Sequence, residues 1–329
     1  MTLAQHFAAY SEWRARVSEI IGKFSGWLLD HELNDAQTDR RLARLLEKLR
    51  EDRLQVAFVA EFSRGKSELI NAIFFAGYGN RVLPSTAGRT TMCPTELLFD
   101  RSKVPSIELL PIETREAKTS ISEYKRFPDE WPTVAIDTPS AESMQEALRH
   151  VSDVIRVLPT VAESLGFTLA DGDSEVLRRG DDGCVEIPRW RHAVINFPHP
   201  LLEQGLVILD TPGLNAIGTE PELTLSLLPN AHAVLFILAA DTGVTQSDLT
   251  VWREHLAAAG GRSKGRIVVL NKIDTLWDEL KSAPEVAAEI ERQVDTCAWT
   301  LDLAENQIFP VSAQKALVAK INDDGELLQ

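Results

Sequence analysis

The sequence predicts an α/β fold in which a mostly parallel sheet is covered by helices on both faces, with an N-terminal helical segment ahead of it. Three observations lead there. Short apolar runs of strand length alternate with helical patterns from Leu54 onward, and such alternation implies parallel strands joined by helical crossovers. The longest apolar run, Ala233 to Ala240, is too short to span a bilayer and fits a buried strand. The run Leu54 to Ala60 passes directly into Glu61-Phe62-Ser63-Arg64-Gly65-Lys66-Ser67, whose Gly-Lys-Ser close is that of a phosphate-binding strand-loop-helix unit.

Before that unit, apolar residues at Leu3, Phe7, Tyr10, Val17, Ile20, Ile21, Phe24 and Leu28 recur at the spacing of one long amphipathic helix. A second helix starts after Asp35 or Thr38 and carries Leu42, Leu45, Leu46 and Leu49 on one face. Its basic residues, Arg40 to Arg53, interleave with Glu47, Glu51 and Asp52, which makes a solvated helix face. Together the two stripes exceed what one helix pair can bury against itself.

After the phosphate loop and its helix comes Val82 to Pro94, rich in Pro, Thr and Gly and expected to lack regular structure. Strands are expected at Thr95 to Phe99, Ser106 to Leu110, His192 to Phe197, Gly205 to Leu209, Ala233 to Ala239, Arg266 to Leu270 and Gln307 to Val311, with helices at Gln246 to Ala259 and Pro284 to Leu301. Between 111 and 191 the alternation breaks down, punctuated by proline and glycine, and one helix is expected from Ala141 to Val157. The organisation read from this is a helical segment over 1–52, a domain over 53–321 with an insertion at about 111–191, and a tail over 322–329.

At 329 residues, 44% hydrophobic and 25% charged, the chain has ample core material. A net charge of -15 disfavours nucleic acid, whose phosphates the long-range field repels. Cys93, Cys184 and Cys297 are far apart, with no metal-ligand spacing, which fits a reducing cytoplasm. Met1 to Tyr10 has no basic region followed by an apolar stretch, so a secretory signal is not expected.

The chemistry follows from the residues at the strand ends, where ligands bind in such sheets. Gly65 allows backbone N–H groups to approach phosphate, Lys66 places a charge on the β and γ phosphates, and the Ser67 hydroxyl can ligate Mg2+. Asp210-Thr211-Pro212-Gly213 closes another strand, where the carboxylate can hold Mg2+ through water and the Gly213 N–H can meet the γ-phosphate. Asp137-Thr138-Pro139-Ser140 looks similar but lacks that glycine. Asn271-Lys272-Ile273-Asp274 is the most discriminating piece. Guanine offers two donors, N1–H and N2–H2, that the Asp274 carboxylate accepts, whereas adenine would set a lone pair against it. Asn271 can bond the N7 side of the base and bridge to the phosphate loop, the Lys272 stem can cover the ring, and Ser312-Ala313 can offer a backbone N–H to O6.

In this order and at these strand ends, the residues resemble a P-loop GTPase domain. More narrowly, Glu61 to Ala72 is similar to the phosphate loop of the dynamin superfamily, including bacterial dynamin-like proteins, and Leu83 to Pro94 resembles that family's switch I. The likeness covers about Leu54 to Lys320 and departs at Ala60, where the family usually has glycine. It implies GTP as substrate and GDP as product, Mg2+ on Ser67, Thr91 and Asp210, and a catalytic set of Lys66, Thr91, Ser63 and Arg64. The nucleotide cradle is Glu61 to Glu68 with Asp210, Gly213, Asn271, Lys272, Asp274, Ser312 and Ala313. Thr90 is a second candidate for the switch hydroxyl. Leu214 stands where Ras-like GTPases carry a water-orienting Gln, so other groups place the attacking water.

In dynamins the residue matching Ser63 helps hold a monovalent cation, and in related families a nearby arginine offsets transition-state charge. For Arg64 the alternatives are that role and a surface arginine with none. The resemblance further implies a nucleotide-dependent homodimer, a neck formed by the N-terminal helices, and a cytoplasmic protein peripheral at membranes. Family members continue into a stalk and membrane-binding tip, so membrane contact is expected only from a further C-terminal region. An Era-like GTPase acting on ribosome or RNA, and a nucleotide-gated binding module without catalysis, are the rival readings.

Overall fold

The computed structural model describes residues 3–50, 53–83, 93–117, 119–167, 183–211, 228, 231–257, 265–277 and 281–328. The strands are β1 (Leu54–Ala60), β2 (Thr95–Leu98), β3 (Ser106–Pro111), β4 (Thr133–Ala135), β5 (Val154–Val157), β6 (Val185–Pro188), β7 (Trp190–Asn196), β8 (Leu206–Asp210), β9 (Ala233–Ala239), β10 (Arg266–Asn271) and β11 (Ile308–Pro310). The helices are α1 (Leu3–Asp30), α2 (Ala36–Arg50), α3 (Lys66–Ile70), α4 (Ile121–Tyr124), α5 (Ala141–Arg149), α6 (Pro159–Ser164), α7 (Gln246–Val251), α8 (Ala283–Leu301) and α9 (Ala313–Ile321).

Nine strands form one sheet in the order β11-β10-β9-β1-β8-β2-β7-β3-β4. From β11 through β8 every pairing is parallel. Reversal enters at β2, which runs antiparallel to β8 but parallel to β7, and continues with antiparallel β3 and β4 at the far edge. The mostly parallel sheet is therefore as the sequence predicts, and its parallel half carries the strand ends that bear the motifs. Side-chain alternation along β1 feeds two cores. Phe58 and Ala60 join Ile70, Phe75, Ile195 and Phe197 on one face, while Ala57 and Val59 join Phe236, Leu238, Trp252 and Cys297 on the other. Trp252 Nε1 donates to the Leu301 carbonyl at 3.1 Å, so α8 is fastened over the second face by a bond that also satisfies the buried indole.

After α3 the phosphate-loop helix does not continue as α-helix. Residues Asn71–Phe75 form a π-helical turn and Ala76–Tyr78 a 3-10 turn, ended by Gly79 at φ 68°. The expected helix Gln246 to Ala259 behaves likewise, becoming π-helical over Trp252–Ala257. In both places a wider turn keeps large side chains on the core side, with Phe74 and Phe75 buried in the first and Trp252 and Leu256 in the second.

The expected helix Ala141 to Val157 is shorter. It ends at Arg149, passes through a 3-10 turn at His150–Ser152, and becomes β5. Val154, Ile155 and Val157 are β-branched and gain more from pairing with β6 than from another helical turn. This hairpin closes a small core of Ile112, Ala162, Leu165, Phe167, Val185 and Ile187 within the segment expected to be irregular. Ser140, in the Asp137-to-Ser140 decoy, caps α5 by accepting from the Ser143 N–H at 3.1 Å. That stretch is a helix start.

Helices α1 and α2 form a hairpin around Glu32, whose φ is 53°. Leu28 is buried, and Val17, Ile21, Leu42, Leu46 and Leu49 are half-buried. Tyr10, Trp13, Ile20, Phe24, Trp27 and Leu45 remain exposed, with Tyr10 stacked on Trp13 and Phe24 on Trp27. Among the described residues, no helix is long and apolar enough to cross a membrane.

A polar trio, with Glu96 and His192 buried and Lys125 exposed, lies on the reversed half of the sheet. Glu96 of β2 accepts from Lys125 Nζ at 2.7 and 2.8 Å and faces His192 Nε2 of β7 at 3.1 Å. Burial drives His192 below its ordinary pKa, with Glu96 opposing. Burial alone would raise the Glu96 carboxyl, but His192 and Lys125 outweigh it and hold it well below the usual value.

Candidate functional site

The phosphate loop is shaped by two left-handed residues, Ser63 at φ 63° and Gly65 at φ 86°. At Gly65 a side chain is excluded twice, by the dihedral and by contact. An ideal Cβ there would lie 2.3 Å from Asn271 Nδ2. Gly65 caps the start of α3, and the first-turn N–H groups of a helix have no intrahelical acceptor and suit an anion.

Lys66 is buried, and its Nζ lies 2.5 Å from Asp210 Oδ1 while also donating to the Thr211 carbonyl. Register places Asp210 opposite Phe58 on the adjoining strand, and Thr211 Oγ1 donates to the Phe58 carbonyl at 2.9 Å. Lysine and the Asp210 carboxylate thus meet at the ends of β1 and β8, and the half-buried Ser67 is the next residue of α3. Hydroxyl and carboxylate oxygens are donors of the kind Mg2+ takes. A phosphate bound at Lys66 must compete with Asp210 and Thr211.

Asn271, at the end of β10, is fully engaged. Its Nδ2 donates to the Arg64 carbonyl at 2.9 Å, and its Oδ1 accepts from the Ala313 N–H at 2.9 Å. The bridge to the phosphate loop is as expected, and of the two backbone N–H groups of Ser312-Ala313 expected to serve guanine O6, that of Ala313 is held by Asn271. Ser312 caps α9, accepting from the Lys315 N–H at 3.1 Å. Lys272, at φ 62°, turns the chain so that Asp274 sits beside it in a short 3-10 turn, and its Nζ pairs with Asp241 at 2.9 Å. Among the described residues, none donates a hydrogen bond to the half-buried Asp274 carboxylate.

Two expected site residues face elsewhere. Glu68 is buried and receives a two-pronged bond from Arg81, Nε at 2.9 and 3.0 Å and Nη2 at 2.6 Å, which also raises the Arg81 pKa. Its carboxylate therefore faces the entry to the switch-like segment and not the nucleotide. Arg64 is neither a surface arginine nor free to reach phosphate. It is 6% exposed, and its guanidinium is held by Glu61 at 2.6 Å, Asp248 at 2.9 Å, Thr245 at 3.3 Å and Thr242. Two carboxylates around one buried guanidinium fix it more firmly than solvent could. Phe62 and Ser63 are exposed at the loop's rim. Thr90, Thr91, Gly213 and Leu214 lie outside the described residues.

Several participants were not picked out from the sequence. Asn71 accepts from the Val82 and Leu83 N–H groups at 3.2 and 2.8 Å and donates to the Leu83 carbonyl at 2.9 Å, which ties the phosphate-loop helix to the chain entering the switch-like segment. Thr242, Thr245 and Asp248 form the other missed group. Thr245-x-x-Asp248 has the spacing of a capping box and was legible as such, but nothing local signals that Asp248 also faces Arg64.

Comparison with known proteins bears on the family. Residues 56–273 match the family model described as the Dynamin family. The probable transmembrane GTPase FZO-like, chloroplastic, of Arabidopsis thaliana is 31% identical over 169 residues, 50% of this chain and 17% of that protein. A bacterial dynamin-like protein of Nostoc punctiforme is 29% identical over 96 residues, 29% of this chain and 13% of its own length. Among solved structures, the LeoA bacterial dynamin GTPase from ETEC is similar in fold, with a TM-score of 0.50 and 12% identity over 99% of this chain and 42% of that one. This chain spans less than two thirds of the length of each of these relatives.

Proposed function

The chain belongs to the dynamin family, and from that premise we propose that it binds GTP with Mg2+ and hydrolyses it to GDP and phosphate. The observation that carries this reading is the Asn271 side chain, which joins the Arg64 carbonyl of the phosphate loop to the Ala313 N–H beside the base-reading turn. One nucleotide can therefore meet both elements.

In this reading Gly65 and the first turn of α3 receive the phosphates, Lys66 binds the β and γ phosphates, and Asp274 accepts both guanine donors. Mg2+ would be held by Ser67, Asp210 and Thr91, and when bound it neutralises phosphate charge. Lys66 and the backbone donors of the loop stabilise charge on the transferring phosphoryl group, so catalysis is mostly positioning and electrostatics. With Arg64 held by Glu61 and Asp248, Ser63 is the remaining loop side chain suited to a monovalent cation. The unit that does this is 53–321, with 1–52 as a neck-like segment and 322–329 as a tail. Turnover rises when two copies meet across the nucleotide, and in the whole protein it is coupled to conformational change or peripheral membrane association from the cytoplasm.

Titration with fluorescent GTP and ATP tests the reading. A preference of at least ~10³ for GTP, about 4 kcal/mol, is expected, with Asp274→Asn moving preference toward xanthine nucleotides. Equal affinity for ATP would overturn it. Single-turnover hydrolysis separates it from a binding module that does not turn over.

A further inference from the structure

Asp248 is fully buried, 184 positions from Arg64, and belongs to no part of the nucleotide or metal site assigned above. Its Oδ2 accepts from Arg64 Nη2 at 2.9 Å, from the Thr245 N–H at 2.9 Å and from Thr245 Oγ1 at 2.7 Å. A capping box accounts for the two Thr245 bonds, and an asparagine could supply them. It does not account for a buried charge facing the phosphate loop.

The loop needs an anchor. Arg64 stands between two left-handed residues, one of them the non-glycine Ser63, and a chain in that shape relaxes unless it is held. Arg64 is held at both ends, its carbonyl by Asn271 at 2.9 Å and its guanidinium by the acidic cluster. Within that cluster Glu61 also reaches the start of α7, accepting from Ser247 Oγ and from Thr245 Oγ1 at 3.2 Å, but it lies on the loop itself, three residues before Arg64, and its two partners there are neutral hydroxyls. Asp248 is charged and lies outside the loop. It lies in the first turn of α7, whose continuation buries Val251 and Trp252 in the core. Of the groups on α7 and the turn before it, Asp248 is the charged one that meets Arg64.

We propose that Asp248 is a positioning residue for the phosphate loop. Acting through Arg64, it holds 61–65 in the curl that presents backbone N–H groups to nucleotide phosphates. This rests on reading that loop as the nucleotide cradle.

The test measures fluorescent GDP on the full chain, by equilibrium titration and by stopped-flow dissociation, for Asp248→Asn, Arg64→Gln and the double variant. Each single change is expected to weaken GDP about tenfold through faster dissociation, the size of one lost charge-assisted bond. The double variant is expected to be no weaker than either single one, because both remove one linkage. A capping role alone predicts unchanged GDP dissociation in both single variants, or additive losses in the double, and either result overturns the proposal. If Asp248→Asn does not fold, Arg64→Lys and Arg64→Gln decide it. Lysine retains one charged contact and should dissociate GDP more slowly than glutamine, and equal wild-type rates in both overturn the proposal. A wild-type chain that binds no GDP would overturn the cradle reading and this proposal with it. Wild-type binding with unaffected variants overturns the positioning role only.

Discussion

The Asn271 amide occupies the space that a side chain on Gly65 would need, 2.3 Å from where its Cβ would be. Neither can yield cheaply. Gly65 is at φ 86°, and moving Asn271 breaks its bonds to Arg64 and Ala313. Gly65→Ala should therefore destabilise the chain by about 2 to 4 kcal/mol, the sum of a left-handed dihedral and the strained amide bonds, and abolish nucleotide binding. Urea denaturation with GDP titration checks both. The paired change Gly65→Ala with Asn271→Ala should relieve the contact without restoring guanine binding.

Lys66 and Thr91 should act on different steps. Lys66→Ala removes the buried partner of Asp210 and the charge on the β-phosphate, so affinity for GDP and GTP should both fall by about tenfold or more. Thr91→Ala should leave GDP affinity unchanged and remove turnover. Hydrolysis by Thr91→Ala at the wild-type rate would transfer the role to Thr90 or Thr95.

The elements legible in the sequence were those whose demands are local. Gly65, Lys66, Asp210 and Asn271 sit at strand ends where spacing along the chain sets position in the sheet, and the structure brings them together. Arg64 was misjudged because its partners, Thr242, Thr245 and Asp248, follow from α7 packing against the loop and leave no trace in the residues around it. Glu68 was placed in the nucleotide cradle with no sign of its carboxylate's partner, Arg81, 13 residues away across a turn. Helix propensity carried Ala141 onward too far because pairing with β6, some 30 residues distant, decides the state of Val154–Val157. The reversal of β2 beside β8 has no sequence signature at all.

Stability should fall with acid through the Glu96, His192 and Lys125 trio. Glu96 has a folded pKa below its ordinary 4.5, so its contribution is complete above that value and is lost as pH falls below it. His192 is likewise depressed from 6.5, so its burial costs nothing above that pH and becomes unfavourable below it. Both effects have one sign. Glu96→Gln should cost about 2 kcal/mol at neutral pH and flatten the part of the loss below about pH 4.5, where Glu96 takes up its proton, as read by urea midpoints across pH. A variant with the wild-type slope would remove the trio from the explanation.

The exposed face of α1 and α2 should drive association. Each large apolar side chain moved out of water contributes about 1.5 to 3 kcal/mol, and Ile20, 64% exposed, shares the hairpin with exposed Tyr10, Trp13, Phe24, Trp27 and Leu45. Light scattering should show a mass that rises with concentration, and Ile20→Lys should abolish the rise while leaving nucleotide affinity intact. A wild-type mass that stays constant over a hundredfold concentration range would show that this face does not self-associate.

The π-helical turn at Asn71–Phe75 makes the length of this segment a fixed quantity. An α-helix advances about 100° per residue and a π-helical turn less, so winding the same residues as ordinary helix would rotate everything beyond them by roughly one residue's step. Phe75, stacked on Phe197 with ring centres 5.1 Å apart, would swing away from its partner, and Asn71 would lose its hold on Val82 and Leu83. A change that rewound this stretch as α-helix would not be compatible with the packing beneath it. The extra residue acts as a phase shift, setting which direction the chain faces as it leaves the phosphate loop for the segment that follows.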